Sequence, residues 1–372
     1  MITGEVSGDI YGADLARHLY KQGPVQITGI GGERMRDAGV DILFNASDIS
    51  VVGFSEILPR LRAILRAYRI VTGLIKSRGV DFVILIDYPG FNIRIAGVAG
   101  RAGIPVVYYI SPQIWAWRKG RLRRIARRVK KMIVILPFEE VIYKKAGVDC
   151  SFIGHPLVDE IRVTRPIEET IVRYGIDKNR PVIGLFPGSR IGEIKSLLPD
   201  LLEAARILKS GNPQIQFVMA VAESLDFKPI ADIVSKYPPD IKMIRGEAND
   251  VINICDVIIA ASGTITLQAT LFEKPMVILY KLSPITYAMA RLLVRINHIG
   301  LVNILAGKKI VPELLQREVT PEKIAEEAKK MLYDKEYHDR IARDLHEVRL
   351  KLGPPGASER VAKVIAGMLS SA

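Results

Sequence analysis

The chain has 372 residues, beyond the roughly 250–300 at which a single core stops growing, so two domains are expected, each able to bury a core of its own. Hydrophobic residues make up 49% and charged residues 25%, which excludes a disordered or fibrous chain, and Lys plus Arg outnumber Asp plus Glu by 53 to 40. That surplus of 13 fits an anionic partner: phosphates, nucleic acid or an acidic membrane face. Cys150 and Cys255 stand far apart without companions, which excludes a disulfide framework or a cysteine zinc site and fits a reducing cytosol. No apolar run reaches the roughly 18 residues of a membrane span, and no signal peptide is recognisable, so a soluble cytosolic protein is expected.

In chain order the loop Gly4–Asp9 comes first, with Asp9 or Ser7 placed to cap the helix Asp9–Lys21 behind it. A buried strand belongs ahead of such a loop, yet only Met1, Ile2 and Thr3 precede it. Three or four missing aliphatics would cost roughly 1.5–3 kcal/mol each, so the natural start is expected to lie upstream. Strands are predicted at Gln26–Ile30, Asp81–Ile86, Pro105–Ile110 and Lys131–Leu136, with a helix over Arg60–Ser77. The alternation pauses between His155 and Pro181, which places a domain boundary near residue 165. It restarts with strands at Val182–Phe186, Ile215–Val221, Asp256–Ala260 and Met276–Tyr280 and helices at Ile194–Lys209 and Thr264–Phe272. Val/Ile runs separated by helices are the mark of parallel strands covered on both faces. Gly353-Pro354-Pro355-Gly356 must end the preceding helix, after which Ser358 caps a last amphipathic helix, Glu359–Leu369. The expected organisation is α/β: a Rossmann-like domain over 1–165, a second over 166–345, and a tail, 346–372, whose helix packs back on the first. Two doubly wound domains facing across a cleft would turn strand ends and helix N-termini toward that cleft.

Three strand-to-helix junctions carry small residues: Gly4–Asp9 with Ser7 and Gly8, the run Phe186–Glu193 with Gly188, Ser189, Arg190 and Glu193, and Ala261–Gln268 with Ser262, Gly263 and Thr264. Glycine lets backbone N–H groups approach a ligand, and a helix N-terminus offers unpaired donors and partial positive charge, which suits a diphosphate. Each loop alone reads more readily as a mere turn with a cap. Two in one domain, one beside an arginine, favour phosphate. No Lys-Ser/Thr follows the glycines and none matches G-x-G-x-x-G, so ATP and NAD are poor candidates. Asp87 ends the apolar run Phe82–Ile86, where a carboxylate at a strand's C-terminal end can take a proton from a hydroxyl; capping the loop before Asn92 is the bland alternative.

Between Arg118 and Lys131 nine cations fall in fourteen residues with no acid, and Arg121, Arg124 and Arg128 share one helical face. Trp115 and Trp117 lie just upstream, as amphipathic residues do at a membrane surface. A solvated helix face and an anionic lipid or lipid-phosphate surface both remain open. Nucleic acid lacks support, since no recognition-module signature accompanies the run. The apolar stretch Tyr287–Ile296 reads as a core-facing helix or as a second membrane contact. The five histidines show no paired ligand spacing, so no metal and no cofactor are expected.

Taken in order, GEVSGD, IDYPGFN at 86–92, SPQIWAWRKGR at 111–121, LPFE at 136–139, FIGHPL at 152–157, PGSR with Glu193, ASGT, and NILAG…VPELLQ at 303–316 resemble the lipid-A-disaccharide synthase family. The similarity runs through almost the whole chain. It implies a GT-B glycosyltransferase that joins UDP-2,3-diacylglucosamine to 2,3-diacylglucosamine 1-phosphate by a β-1,6 linkage, inverting the anomeric centre without a metal at the cytosolic face of the inner membrane. By the same resemblance, Asp87 is the base for the acceptor hydroxyl. Arg190, Gly188 and Ser189 hold the departing UDP, with donors added by Ser262, Gly263 and Thr264. Gln268 stands in place of a ribose-binding Glu, and Asn303, Glu313 and Gln316 line the donor side. Val302 replaces the family's usual Pro. The rival readings are another UDP-N-acetylglucosamine GT-B protein, such as a muramyl transferase or 2-epimerase, and a non-catalytic membrane or RNA-binding protein of the same fold. Acyl-chain length and oligomeric state are not encoded in any recognisable pattern.

Overall fold

The computed structural model describes residues 1–50, 57–112, 120–237, 240–282, 287 and 298–370. The chain forms two compact units, Met1–Asp159 with Leu352–Ala372, and Glu160–Lys351. The crossings therefore fall a few residues before the expected boundary near 165 and a few after the expected tail start at 346.

In the first unit α1 (Val6–Gln22) leads into β1 (Thr28–Gly31), α2 (Glu33–Asp37) and β2 (Asp41–Asn45). Next come α3 (Ile57–Lys76), β3 (Val83–Ile86), α4 (Pro89–Arg101), β4 (Val106–Tyr109), β5 (Lys131–Val134) and β6 (Cys150–Phe152). β3 to β6 pair in parallel, as do β1 and β2. Met1–Thr3 joins these two sheets: Ile2 bridges both Ile30 and Leu85, with Ile2 N–H bonded to Ile84 O at 2.9 Å and Thr3 N–H to Ile30 O at 3.0 Å. Met1–Thr3 thus pairs at the position where a strand is expected ahead of the glycine-bearing segment, and the resulting order is β2-β1-(Met1–Thr3)-β3-β4-β5-β6.

Alternation along these strands sorts side chains to two covered faces. Val83, Leu85, Val106 and Tyr108 pack with Ala67, Val71 and Ile75 of α3 and Phe91 and Ile95 of α4. Ile84, Ile86, Val107 and Tyr109 pack with Leu15, Ala16 and Leu19 of α1 and Val361, Ala362 and Ile365 of the last helix, Ala357–Leu369. The capping expected at both ends of this layer is differently made. Ser358 lies inside the final helix, buried beside Tyr109. The carboxylate of Asp159 caps instead, accepting from the N–H groups of Gly356 and Ala357. Neither Ser7 nor Asp9 caps α1, whose N-cap position is Glu5. Asp9 is buried and accepts from Gly32, Arg34 and Met35 N–H, so it caps α2.

The second unit carries one six-stranded parallel sheet of order β12-β11-β10-β7-β8-β9. Its strands are β7 (Val182–Phe186), β8 (Gln216–Val221), β9 (Ile241–Arg245), β10 (Val257–Ala261), β11 (Met276–Tyr280) and β12 (Glu313–Leu315). Every residue of β7 and β10 is buried, as continuous apolar runs require. Both units therefore wind outward in two directions from their first strand, the arrangement of a Rossmann sheet.

The Asp159 cap is testable. Asp159→Ala removes the acceptor of two helix N-terminal donors and should lower stability to urea by about 1–2 kcal/mol, whereas Ser358→Ala should cost less. Equal effects of the two changes would refute the assignment.

Candidate active site

Ligands of doubly wound sheets bind beyond the strand C-termini where strand order reverses. In the first unit that point lies between Met1–Thr3 and β3. After Met1–Thr3 the segment Gly4–Asp9 turns at Gly4-Glu5 into the first turn of α1; the turn after β3 is Asp87-Tyr88. Gly8 must be glycine, since a Cβ there would lie 1.8 Å from Thr3 Oγ1, while Ser7 is exposed at the first turn of α1. Gly4 sits against the Tyr88 ring, a Cβ lying 2.3 Å from it.

Asp87 and Tyr88 both take left-handed backbone conformations, φ 44° and 47°, which cost non-glycine residues roughly 1–2 kcal/mol each. Neighbouring groups hold the turn. Asn92 Nδ2 donates to the carbonyls of Asp87 (2.7 Å) and Ile86 (3.2 Å), and the Tyr108 hydroxyl donates to Asp87 O at 2.6 Å. Asn92 and Tyr108 were not singled out from the sequence. Pro89 at the first position of α4 sets the helix start immediately beyond. Asp87 is not the N-cap of α4, a place taken by Tyr88. Burial first, and then the negative charge of Glu5, raise its pKa to about 7, opposed by a hydrogen bond from the Tyr88 N–H. The result is a carboxyl that exchanges its proton near neutrality at the rim of the sheet.

In the second unit the reversal lies between β7 and β10, and the loops after both strands line one pocket of about 300 Å³. Gly188, Ser189, Arg190 and Glu193 come from the first loop; Ser262, Gly263, Thr264 and Gln268 come from the second and its helix, Thr264–Leu271. Phe186, Ala220, Val221 and Gly246 add apolar and backbone surface. Gly188 has φ 118°, and a Cβ there would lie 2.4 Å from Glu193 Oε2, so only glycine lets that side chain fold back. Glu193 then accepts from Ser189 N–H at 3.0 Å and pairs with Arg190 at 3.4 Å. The Ser189 N–H is thus engaged by Glu193, while the Arg190 side chain stays 58% exposed and reachable by an anion.

Asn303, Glu313 and Gln316 do not line this pocket. Asn303 is fully buried and uses its amide on Ile310 N–H, Val311 N–H and O, and Glu313. Glu313 also accepts from Ile299 and Gly300 N–H, and Gln316 exchanges two hydrogen bonds with the backbone of Leu282. These three brace the chain on either side of residues 283–297. Most of the stretch Tyr287–Ile296 lies outside the described residues.

Trp115, Trp117 and Arg118 also lie outside the described residues. Arg121 is the second residue of the helix Gly120–Ala126, and Arg124 on that helix is exposed. Arg128 turns inward, donating to Ile93 O of α4 at 2.9 Å with its guanidinium against Gly97. Arg123 and Arg127 are exposed as well, and with Lys145 they border a groove of about 630 Å³ floored by Leu122, Ala126, Ile142 and Ala146. Leu61 and Leu65 on α3 are exposed among Arg62, Arg66 and Arg69. Among the described residues no helix is long and apolar enough to cross a membrane.

Solved structures share this fold. The chain matches a UDP-GlcNAc 2-epimerase from Neisseria meningitidis, solved with UDP-GlcNAc, with TM-score 0.64 and 13% identity, covering 99% of this chain and 98% of that one. It matches the calicheamicin glycosyltransferase CalG4 with TM-score 0.62 and 15% identity over 100% and 96%. The architecture is that of GT-B glycosyltransferases and epimerases, two Rossmann-like units in one chain. The family model described as lipid-A-disaccharide synthetase matches residues 1–366. The lipid-A-disaccharide synthase of Geobacter sulfurreducens is 45% identical over 370 residues, 99% of this chain and 96% of that protein. That of Syntrophus aciditrophicus is 44% identical over 364 residues, 97% and 95%. The chain belongs to the lipid-A-disaccharide synthase family, and it is a glycosyltransferase that forms the lipid A disaccharide.

The raised pKa of Asp87 carries a stability signature. Its carboxyl is protonated more readily in the folded chain, so wild-type stability falls as pH rises from about 3.8 to about 7 and levels off above. Asp87→Asn, uncharged throughout, should be the more stable protein at pH 8, by on the order of a few kcal/mol at most, with the difference vanishing near pH 4. A difference independent of pH in urea unfolding would contradict the assignment.

Proposed function

We propose that Asp87 is the general base and that the pocket after β7 and β10 holds the UDP of the donor. The 6-hydroxyl of 2,3-diacylglucosamine 1-phosphate attacks C1 of UDP-2,3-diacylglucosamine. Its proton passes to Asp87, the C1–O bond to the diphosphate breaks, the electron pair leaves with UDP, and C1 inverts. What carries this reading is the Asp87 turn: a carboxyl held at a sheet's switch point and titrating to about 7 can accept a proton at physiological pH. Arg190 supplies a fixed cation for the departing diphosphate, and the first turn of Thr264–Leu271 supplies backbone donors. Gln268 contributes to the ribose.

Both sugars bear acyl chains, so the enzyme works against a membrane, at the cytosolic face of the inner membrane. The cationic groove of Arg123, Arg127 and Lys145 with its apolar floor supports this, as do the exposed leucines of α3 among arginines. The segment with Trp115, Trp117 and Arg118 belongs to the same contact, together with Arg121 and Arg124.

Two measurements test these assignments. Asp87→Asn should lower kcat by about 10²–10⁴-fold while UDP still binds. In the wild type, kcat/KM should rise with pH through about 7, and Glu5→Gln, which removes a neighbouring negative charge, should move that limb to lower pH. Full turnover by Asp87→Asn would remove it from the role of base. Vesicle flotation should show binding that requires anionic lipid and weakens with salt; equal binding to neutral vesicles would refute the membrane assignment.

A further inference from the structure

Gln268 lies four residues, just over one helical turn, beyond Thr264, about 6 Å along the axis and on the same face of the helix. That is the span from a nucleotide's phosphates to its ribose hydroxyls. A glutamine there has two ends with opposite properties: the carbonyl only accepts and the NH₂ only donates. Which end meets the pocket is decided by the neighbours. Nε2 of Gln268 donates to Asn249 Oδ1 at 3.2 Å, and Nδ2 of Asn249 donates to the backbone carbonyl of Arg162 at 3.1 Å. A backbone carbonyl can only accept, so Asn249 must turn its NH₂ to Arg162 and its oxygen to Gln268. The Arg162 carbonyl is itself fixed. Thr164 donates through N–H (2.8 Å) and Oγ1 (2.9 Å) to the buried carboxylate of Asp250, and Arg165 pairs with Glu247.

We infer that Asn249 is a positioning residue of the donor site: it orients the Gln268 amide so that Oε1 accepts a hydrogen bond from a ribose hydroxyl of the bound nucleoside diphosphate. The inference rests on the donor pocket proposed above. A glutamate at 268 would accept with either oxygen and need no such guide; a glutamine does.

The test is calorimetric titration of the full chain with UDP, 2′-deoxy-UDP and 3′-deoxy-UDP at one salt concentration. The wild type should bind UDP about 3–10-fold more tightly than at least one deoxy analogue, the worth of one neutral hydrogen bond. Asn249→Ala should lose that preference, weakening UDP while leaving the deoxy analogue unchanged, which a general loss of structure would not do. Asn249→Asp keeps an acceptor for Nε2 and should retain the preference, even where its charge weakens all three ligands. An undiminished preference in Asn249→Ala, or equal wild-type affinity for UDP and both analogues, overturns the inference and leaves UDP binding standing. A wild type that binds no UDP overturns the inference and the donor pocket together.

Discussion

A parallel sheet that winds outward in both directions from its first strand leaves a gap at the reversal that no crossover helix covers. Here that gap occurs twice. In one unit it lies between Met1–Thr3 and β3, and in the other between β7 and β10. The four chain segments leaving those strands are Gly4–Asp9, Asp87-Tyr88, Gly188–Arg190 and Ser262–Thr264. Each pair falls at the first and fourth strands of its own unit, so the same topology presents different chemistry in each unit. One presents a titrating carboxyl; the other presents an arginine and helix N-terminal donors.

The price of that carboxyl is local. Two consecutive residues sit in left-handed conformations, and an acid is partly withdrawn from water beside Glu5. The structure offsets this with buried polar groups, the Asn92 amide and the Tyr108 hydroxyl, both of which donate to the carbonyl of Asp87. Strain at a functional turn persists only where surrounding contacts over-determine it. Glu193 plays the corresponding part in the second unit, folding back over Gly188 to fix the loop that bears Arg190.

Central strands were legible because burial on both faces demands unbroken Val/Ile runs, as in Val182–Phe186 and Met276–Tyr280. The strands that sequence reading missed are β2, β6, β9 and β12, each at a sheet edge or near it. They are short or half-exposed, so Asp41–Asn45 and Ile241–Arg245 mix charge with aliphatics and show no clear period. α4 was hidden for another reason: Tyr88-Pro89-Gly90 reads as a turn, although proline at a helix's first position is favourable. The pocket loops were visible as glycine-bearing junctions. The buried roles of Asn303 and Glu313 were not, because a motif's spacing does not reveal which way its side chains point.

The first unit is assembled from the two ends of the chain. Val361, Ala362 and Ile365 complete the layer that α1 begins, and Leu352 O is bonded to His155 N–H. Glu160–Lys351, by contrast, is continuous. On the ribosome, where domains fold as units in order of synthesis, the usual sequence is therefore reversed. The later-made unit can close first, while the earlier-made one waits with an uncovered sheet face until the helix Ala357–Leu369 emerges.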